Sequence, residues 1–296
     1  MARLSIKGAC DMHIHTGPDI FERLATDVEV AEICRDAGMR AIVFKNHADT
    51  TMTRAWHTNQ QVPGIKAFGG IVLNLNVGGI NPAAVDVALK LGAVEIWMPT
   101  YHSLAHYRET GKMGGYAHQG ADVKTDYNVK PITILDENDR LIPEIEPILK
   151  LVKRYNAILG TSHLSSNEAL KLIEAGHDMG LERMLLTHPF FSPPDCTMED
   201  LRRAVDLGAY VEFCAGNALS AIPKPISLDL YKEALDTVGS EQCIISTDCG
   251  HPRKTLPPET LRMFAYALQY KGVADRDIEA MMIHNYDKLL DLDERG

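Results

Sequence analysis

The chain has no Cys-x-x-Cys pair, no long apolar run and no surplus of positive charge. Each absence excludes something. No stretch approaches the roughly 18 apolar residues of a membrane helix. The opening MARLSIKGAC has no apolar core of a secretory signal. Cys10, Cys34, Cys196, Cys214, Cys243 and Cys249 are scattered, several in apolar strand-like runs, so they read as small hydrophobes in a reduced cytoplasm rather than as a disulfide or zinc framework. The formal net charge of -10 would repel phosphates and argues against nucleic acid as a partner. No Gly-x-Gly-x-x-Gly follows the first strand-like run, which weighs against a dinucleotide-binding sheet. No internal repeat or interdomain linker is visible. The 296 residues therefore read as a single domain spanning 1–296, with ample length for a core.

What is present is a rhythm. Eight short apolar runs, GACDMHIH, MRAIVFKNH, IKAFGGIVLN, GAVEIWMPT, NAILGTSH, ERMLLTHP, GAYVEFCAG and QCIISTDCG, alternate with helical patterns. Several are near-continuous rather than alternating, as in parallel strands covered on both faces. The helical segments carry their own start signals: Asn81-Pro82, a Ser165/Glu168 capping box, Thr197 and Ser227. Many end at glycine just before the next run. Eight strands with alternating helices predict an α/β (β/α)8 TIM barrel. About forty residues, 101–142, break the rhythm after the fourth strand. Within them PITILDENDRLI reads as a hairpin and GKMGGYAHQG as a Gly-rich stretch, and the whole reads as a lid.

The twelve histidines cluster where strands should end. The first strand ends in His13 and His15, the second in Lys45, Asn46 and His47, the fifth in His163, the sixth in His188 and the eighth in Asp248. In a parallel barrel these ends share one mouth. Histidines one residue apart on a strand point to one side, with Ile14 turned to the helix layer. Imidazole nitrogens with a carboxylate suit a divalent metal, zinc first, with iron, manganese or nickel compatible. Such a cation would activate water, and Asp248 would shuttle its proton to the leaving group.

DMHIH, TSH, LTHP and STDCG resemble the amidohydrolase superfamily, whose barrels carry His-x-His after strand one, His after strands five and six, and Asp after strand eight. IHNYDKLLDL, residues 283–292, is similar to the Asn-Pro-Ala-x-x-Leu stretch of many members, with Tyr286-Asp287 in place of Pro-Ala. The resemblance spans residues 10 to 292. It implies a plain barrel member without an N-terminal β-sandwich, with His13, His15, His163, His188 and Asp248 as metal ligands or catalytic groups. Two-metal members often have a carboxylated lysine after strand four. Trp97 stands near that place here and Glu95 lies deeper, so Lys45 is the candidate bridging lysine. With one metal, His188 becomes an electrophile or acid–base group instead of a ligand.

The expected activity is metal-dependent hydrolysis of a small-molecule amide, lactone or other ester. Two alternatives stand beside it. DMHIHT also resembles the phosphoesterases of the polymerase and histidinol phosphatase type, with FKNHAD echoing their second motif and His47 becoming a ligand. Against that, STDCGH places His251 one position too far along. A single-metal decarboxylase or lyase is the other. Tyr101, His102, His106, Tyr116 and His118 on the insertion, and Arg54 and Arg253 on loops after strands two and eight, are candidate substrate contacts along with His47. Cys249 has no activating base and reads as packing. The expected partner is a small molecule, with neither nucleic acid nor membrane, and a homo-oligomer is left open.

Overall fold

Strands form where the apolar runs stand, because every residue in seven of the eight is shielded from solvent. They are β1 (Cys10–Ile14), β2 (Ala41–Phe44), β3 (Lys66–Val72), β4 (Glu95–Trp97), β5 (Ile158–Gly160), β6 (Met184–Leu186), β7 (Tyr210–Cys214) and β8 (Cys243–Ser246); only β3 has half-buried positions. This is a computed structural model, and it describes residues 4–115, 129–219 and 225–292. Each strand pairs in parallel with the next, in the order β1 to β8. An Ile14–Cys249 bridge brings the ends of the sheet together, with the His15 N–H donating to the Cys249 carbonyl at 2.8 Å. The sheet is the expected (β/α)8 barrel.

Two cores follow from the two faces of the strands. Outward residues such as Ile14, Ile42, Phe44, Val211 and Ile245 pack with helix residues such as Val30, Cys34, Leu172 and Phe264. Inward residues such as Met12, Val43, Val72, Trp97, Leu185 and Ile244 fill the barrel, together with Tyr286, Leu289 and Leu290 from the helix Asn285–Leu290. That helix lies in the stretch 283–292.

The helices start where their caps direct. Thr26, Ser165 and Thr197 each close a capping box, with Glu29, Glu168 and Asp200. The Asn81 side chain accepts from the N–H of Ala83 and of Ala84, ahead of Pro82. Pro257 and Pro258 open the Pro257–Tyr270 helix, in its first turn. The helix Met52–Gln61 has no comparable signal: its N-cap Thr51 makes no side-chain cap bond, and Thr51 Oγ1 instead donates to the Phe44 carbonyl.

Of the 101–142 insertion, the described part holds a helix, Leu104–Thr110, and a small hairpin with an antiparallel Leu135–Leu141 bridge. It is tied to the barrel. Ser103 Oγ donates to the His163 carbonyl at 2.7 Å, and Thr133 Oγ1 donates to Glu168 at 2.6 Å. Tyr116 and His118 lie outside the described residues.

Candidate metal centre

β1 is irregular between Asp11 and Ile14, where its register against β2 shifts. The shift lets Met12 and His13 both face the barrel interior. Ile14 then turns outward and His15 inward. Simple alternation predicted the side shared by His13 and His15 but not the bulge that precedes them.

Three donor atoms meet at the mouth. His13 Nε2 lies 3.4 Å and His15 Nε2 3.2 Å from Asp248 Oδ1. Asp248 Oδ2 accepts from Lys254 Nζ at 2.9 Å. Burial raises the Asp248 carboxyl, but Lys254, His13 and His15 outweigh it and hold the group well below the usual carboxylate range. His188 and His163 complete the ring of imidazoles. The His188 ring centre is 5.8 Å from that of His13 and 5.0 Å from that of His163. Ser162 (φ 50°), His188 (φ 31°) and Asp248 (φ 51°) take left-handed backbone where β5, β6 and β8 give way to loops. Such backbone costs about 1–3 kcal/mol and persists where surrounding structure holds a functional geometry.

Beneath these atoms sits Glu212, on β7, with 1% exposure. His13 Nδ1 donates to both its oxygens, at 3.2 and 3.3 Å. Burial raises Glu212, yet His13 beside it brings its carboxyl below the ordinary value. The ionised Glu212 holds the proton on His13 Nδ1, so Nε2 presents its lone pair to the mouth. That lone pair and the ionised Asp248 Oδ1 face each other at 3.4 Å. Lys45 Nζ reaches that lone pair at 3.3 Å, and a metal cation between the two electron-rich atoms would satisfy both. A tetrahedral ion with bonds of about 2.0–2.1 Å sets neighbouring ligand atoms roughly 3.3 Å apart, which matches the spacing of His13 Nε2 and of His15 Nε2 from Asp248 Oδ1. His15 Nδ1 and His188 Nδ1 are buried with no hydrogen-bond partner among the described residues. Burial followed by Arg23 pushes His15 well below its usual value, and burial followed by Lys45 lowers His188 to about 3, so both are neutral and available as ligands.

Lys45 follows β2 and is 1% exposed. Its Nζ donates to His13 Nε2 at 3.3 Å and lies 5.3 Å from the centre of the Trp97 ring. Burial lowers its pKa, with Glu212, Glu95 and Asp248 opposing. Glu95, on β4, is fully buried, and neither carboxylate oxygen has a hydrogen-bond partner among the described residues. Burial and then Glu212 push it well above the usual range, so it stays protonated. His47 stacks on His15 at 4.6 Å, and its Nδ1 meets Thr100 Oγ1 at 2.9 Å. Tyr101 is buried and donates to Asn76 Oδ1 at 2.8 Å, with its ring 5.3 Å from that of His47. His102 is buried and accepts from the Leu75 N–H at 3.3 Å. His106 Nε2 donates to the Gly115 carbonyl at 3.1 Å.

Arg54 lies on the Met52–Gln61 helix, not on a loop. Its Nε and Nη2 donate to Asp27, and Nη2 also to Thr16, so it clamps the segment after β1 to the next helix. Arg253 is exposed on the loop after β8, and its backbone N–H donates to His251 Nδ1 at 3.1 Å. Cys249 packs against Thr260, and burial raises its thiol to about 11. Glu212 and Lys254 were not singled out from the sequence. Glu212 alone had a signal, as a carboxylate inside an apolar strand.

A family model matches residues 8–212. The chain belongs to DUF6282, a family of unknown function. The matched segment of this DUF6282 chain holds His13, His15, Lys45, His163, His188 and Glu212, and ends before Asp248. No curated protein matches the sequence. Solved structures share the fold. An amidohydrolase from Pseudomonas aeruginosa superposes with a TM-score of 0.61 at 14% identity, covering 95% of each chain. An organophosphorus hydrolase from Deinococcus radiodurans gives 0.59 at 11%, covering 95% of this chain and 92% of its own. A 2,6-dihydroxybenzoate decarboxylase gives 0.60 at 14%, covering 97% and 99%.

Proposed function

We propose that this DUF6282 barrel is a metal-dependent hydrolase of a small molecule, amidohydrolase-like in its site. The observation that carries the reading is the placement of His13 Nε2 and His15 Nε2 at 3.4 and 3.2 Å from Asp248 Oδ1, all three within 4.8 Å of one another, with His13 oriented by Glu212. His13, His15 and Asp248 would hold the cation, His163 and His188 stand beside them, and the donor set favours zinc. Lys45 is placed to be a ligand only as a neutral amine or a carbamate. When bound, the cation would make a water acidic near neutral pH and polarise a carbonyl or phosphoryl oxygen. Asp248, kept ionised by Lys254, would serve as the proton acceptor and hand the proton on to the leaving group. His188, neutral at working pH, can polarise the substrate if it is not a ligand. The substrate class is an amide, a lactone or another ester, in line with the hydrolases that share the fold. The six cysteines are free and buried, which supports a cytoplasmic setting. Among the described residues no helix is long and apolar enough to cross a membrane.

A decarboxylase or lyase with one metal is the second reading. Lys45 supports it, because as an amine hydrogen-bonded to His13 Nε2 it offers no bridge to a second cation. Metal analysis after zinc supplementation tests the first claim. One or two equivalents are expected in the wild type, and less than about 0.5 counts against any metal enzyme. A panel of esters, lactones, amides and aromatic acids then separates the two, since hydrolysis lost in His13→Ala and Asp248→Asn supports the first and carbon dioxide release the second.

A further inference from the structure

The segment after β1 is a closed loop whose polarity is inverted. The Gly17 N–H donates to the Ala25 carbonyl at 2.9 Å and closes its base. The Leu24 N–H donates to the Gly250 carbonyl at 2.9 Å, two residues past Asp248, and the Asn46 side chain donates to the Pro18 carbonyl at 3.4 Å. The loop is thus pinned to the segments that follow β8 and β2, on either side of the end of β1. Along it the side chains alternate. Pro18, Ile20, Glu22 and Leu24 are exposed, Ile20 by 48% and Leu24 by 39%, whereas Asp19, Phe21 and Arg23 turn inward. The Asp19 side chain is fully buried and that of Arg23 is 4% exposed. Apolar side chains in water above, with charges buried beneath them, are the reverse of what folding alone favours.

Arg23 keeps donors in reserve. Its Nε donates to Asp19 Oδ2 at 2.7 Å, and Nη2 lies 2.6 Å from the same oxygen without hydrogen-bond geometry. Nη2 is buried and has no hydrogen-bond partner among the described residues. Asp19 therefore takes one edge of the guanidinium, while its Oδ1 accepts from the Phe21 N–H at 3.3 Å. The end of the fork, Nη1 with Nη2, matches two oxygens of a carboxylate or a phosphate. It stands at the mouth. The guanidinium carbon is 5.7 Å from the centre of the Phe21 ring, and that ring is 6.5 Å from the His47 ring, which stacks on His15. The charge is felt there, since Arg23 is second only to burial in holding His15 below its usual pKa. We propose that Arg23 is a substrate-binding residue, whose Nη1–Nη2 end takes a carboxylate or phosphate group that the substrate carries apart from the bond that is broken. Asp19 is the positioning residue that holds the fork in place. Which bond is broken rests on the hydrolase reading above, while the anion site does not.

The test is a titration of the full chain with benzoate, phenyl phosphate and the uncharged benzamide, followed by ligand NMR. It is run first without zinc, so that no metal can hold the anion. Benzoate or phenyl phosphate should bind at least about tenfold more tightly than benzamide, and that advantage should vanish in Arg23→Gln. The better-bound anion names the group. Arg23→Gln leaves Asp19 buried without its cation, so the Asp19→Asn/Arg23→Gln double variant repeats the measurement, with thermal unfolding to show that it is folded. Asp19→Asn alone keeps an acceptor for Nε and should bind the anion at least as tightly as wild type. Failure of both anions to bind, benzamide bound as tightly as either, or an anion affinity within twofold of wild type in the folded double variant overturns the proposal. In the zinc-loaded protein, an ester carrying the favoured anion should show KM raised about tenfold in Arg23→Gln with kcat nearly unchanged. A wild type that takes up no zinc refutes the hydrolase reading instead, and the zinc-free titration still decides the role of Arg23.

Discussion

Replacing Glu212 should weaken metal binding without unfolding the barrel, although Glu212 touches no metal. It accepts from His13 Nδ1 through both oxygens, at 3.2 and 3.3 Å, from a position with 1% exposure. The carboxylate does two things for His13. It selects the tautomer whose Nε2 is a lone pair, and its charge makes that lone pair more basic. The size of the charge effect follows from Coulomb's law. A unit charge roughly 7 Å from the cation, at an effective dielectric near 20, is worth about 2.4 kcal/mol per unit of cation charge. Changes to such supporting partners of metal-bound histidine typically cost 10–100-fold in affinity, about 1.4–2.7 kcal/mol. Glu212→Gln keeps an acceptor for Nδ1–H and removes the charge, so a loss of at least about fiftyfold is expected. Glu212→Ala removes both and should approach the hundredfold end. Competition for zinc against a chromophoric chelator reads the affinity, and thermal unfolding of the metal-free variants shows whether the fold survives. If both variants fold and bind zinc within twofold of wild type, Glu212 does not orient His13 and the electrostatic account of the centre is wrong.

Other perturbations reach the site from different sides. Gly250 has φ +123°, and a Cβ there would stand 1.8 Å from the His15 carbonyl oxygen; Gly250→Ala should displace His15, lowering zinc affinity at least tenfold and stability by about 2 kcal/mol or more, by chelator competition and urea unfolding. Arg54→Met leaves the Asp27 carboxylate without its two-point guanidinium contact, and about 3 kcal/mol of stability should go, read by urea unfolding; a loss under 0.5 kcal/mol refutes the clamp. Stability of the metal-free protein should rise with pH from about 4 to 6.5. Burial holds His188 at about 3 and His15, His47 and His163 well below their usual 6.5, so each such group loses up to about 1.4 kcal/mol per pH unit as the pH falls below 6.5. Asp11, which burial raises from 3.8 to about 7, and Glu95, which burial holds well above its usual range, work in the opposite direction, their contributions being lost as pH rises across that window. Two carboxyls against four imidazoles leave a shallower rising slope, and a melting temperature that is flat or falling between pH 4.5 and 6.5 refutes the neutral-histidine account.

The pattern that was legible and the pattern that was not have one physical origin. Strands covered on both faces write near-continuous apolar runs, and a histidine or aspartate at the end of such a run stands out, so the eight strands and the positions of His13, His15, His163, His188 and Asp248 could be read directly. The bulge in β1 could not, because a two-residue period carries no mark of an extra residue until the partner register is known. Nor could the clamp of Arg54 on Asp27, whose partners come from different helices, or the chain from Asn74 through Thr100 to His47, whose members look like ordinary loop residues. The charges inside the runs are a different matter. Lys45 at the end of AIVF, Glu95 in VEIW and Glu212 in YVEF each sit where a solitary charge is costly. A barrel interior large enough for one cluster gives them one another: Glu212 opposes the loss of charge at Lys45 and accepts from His13, and Glu95 alone gives up its charge. Three charged side chains on strands otherwise closed to water therefore already imply a shared polar centre inside the barrel, and the centre they imply lies directly beneath the histidines at its mouth.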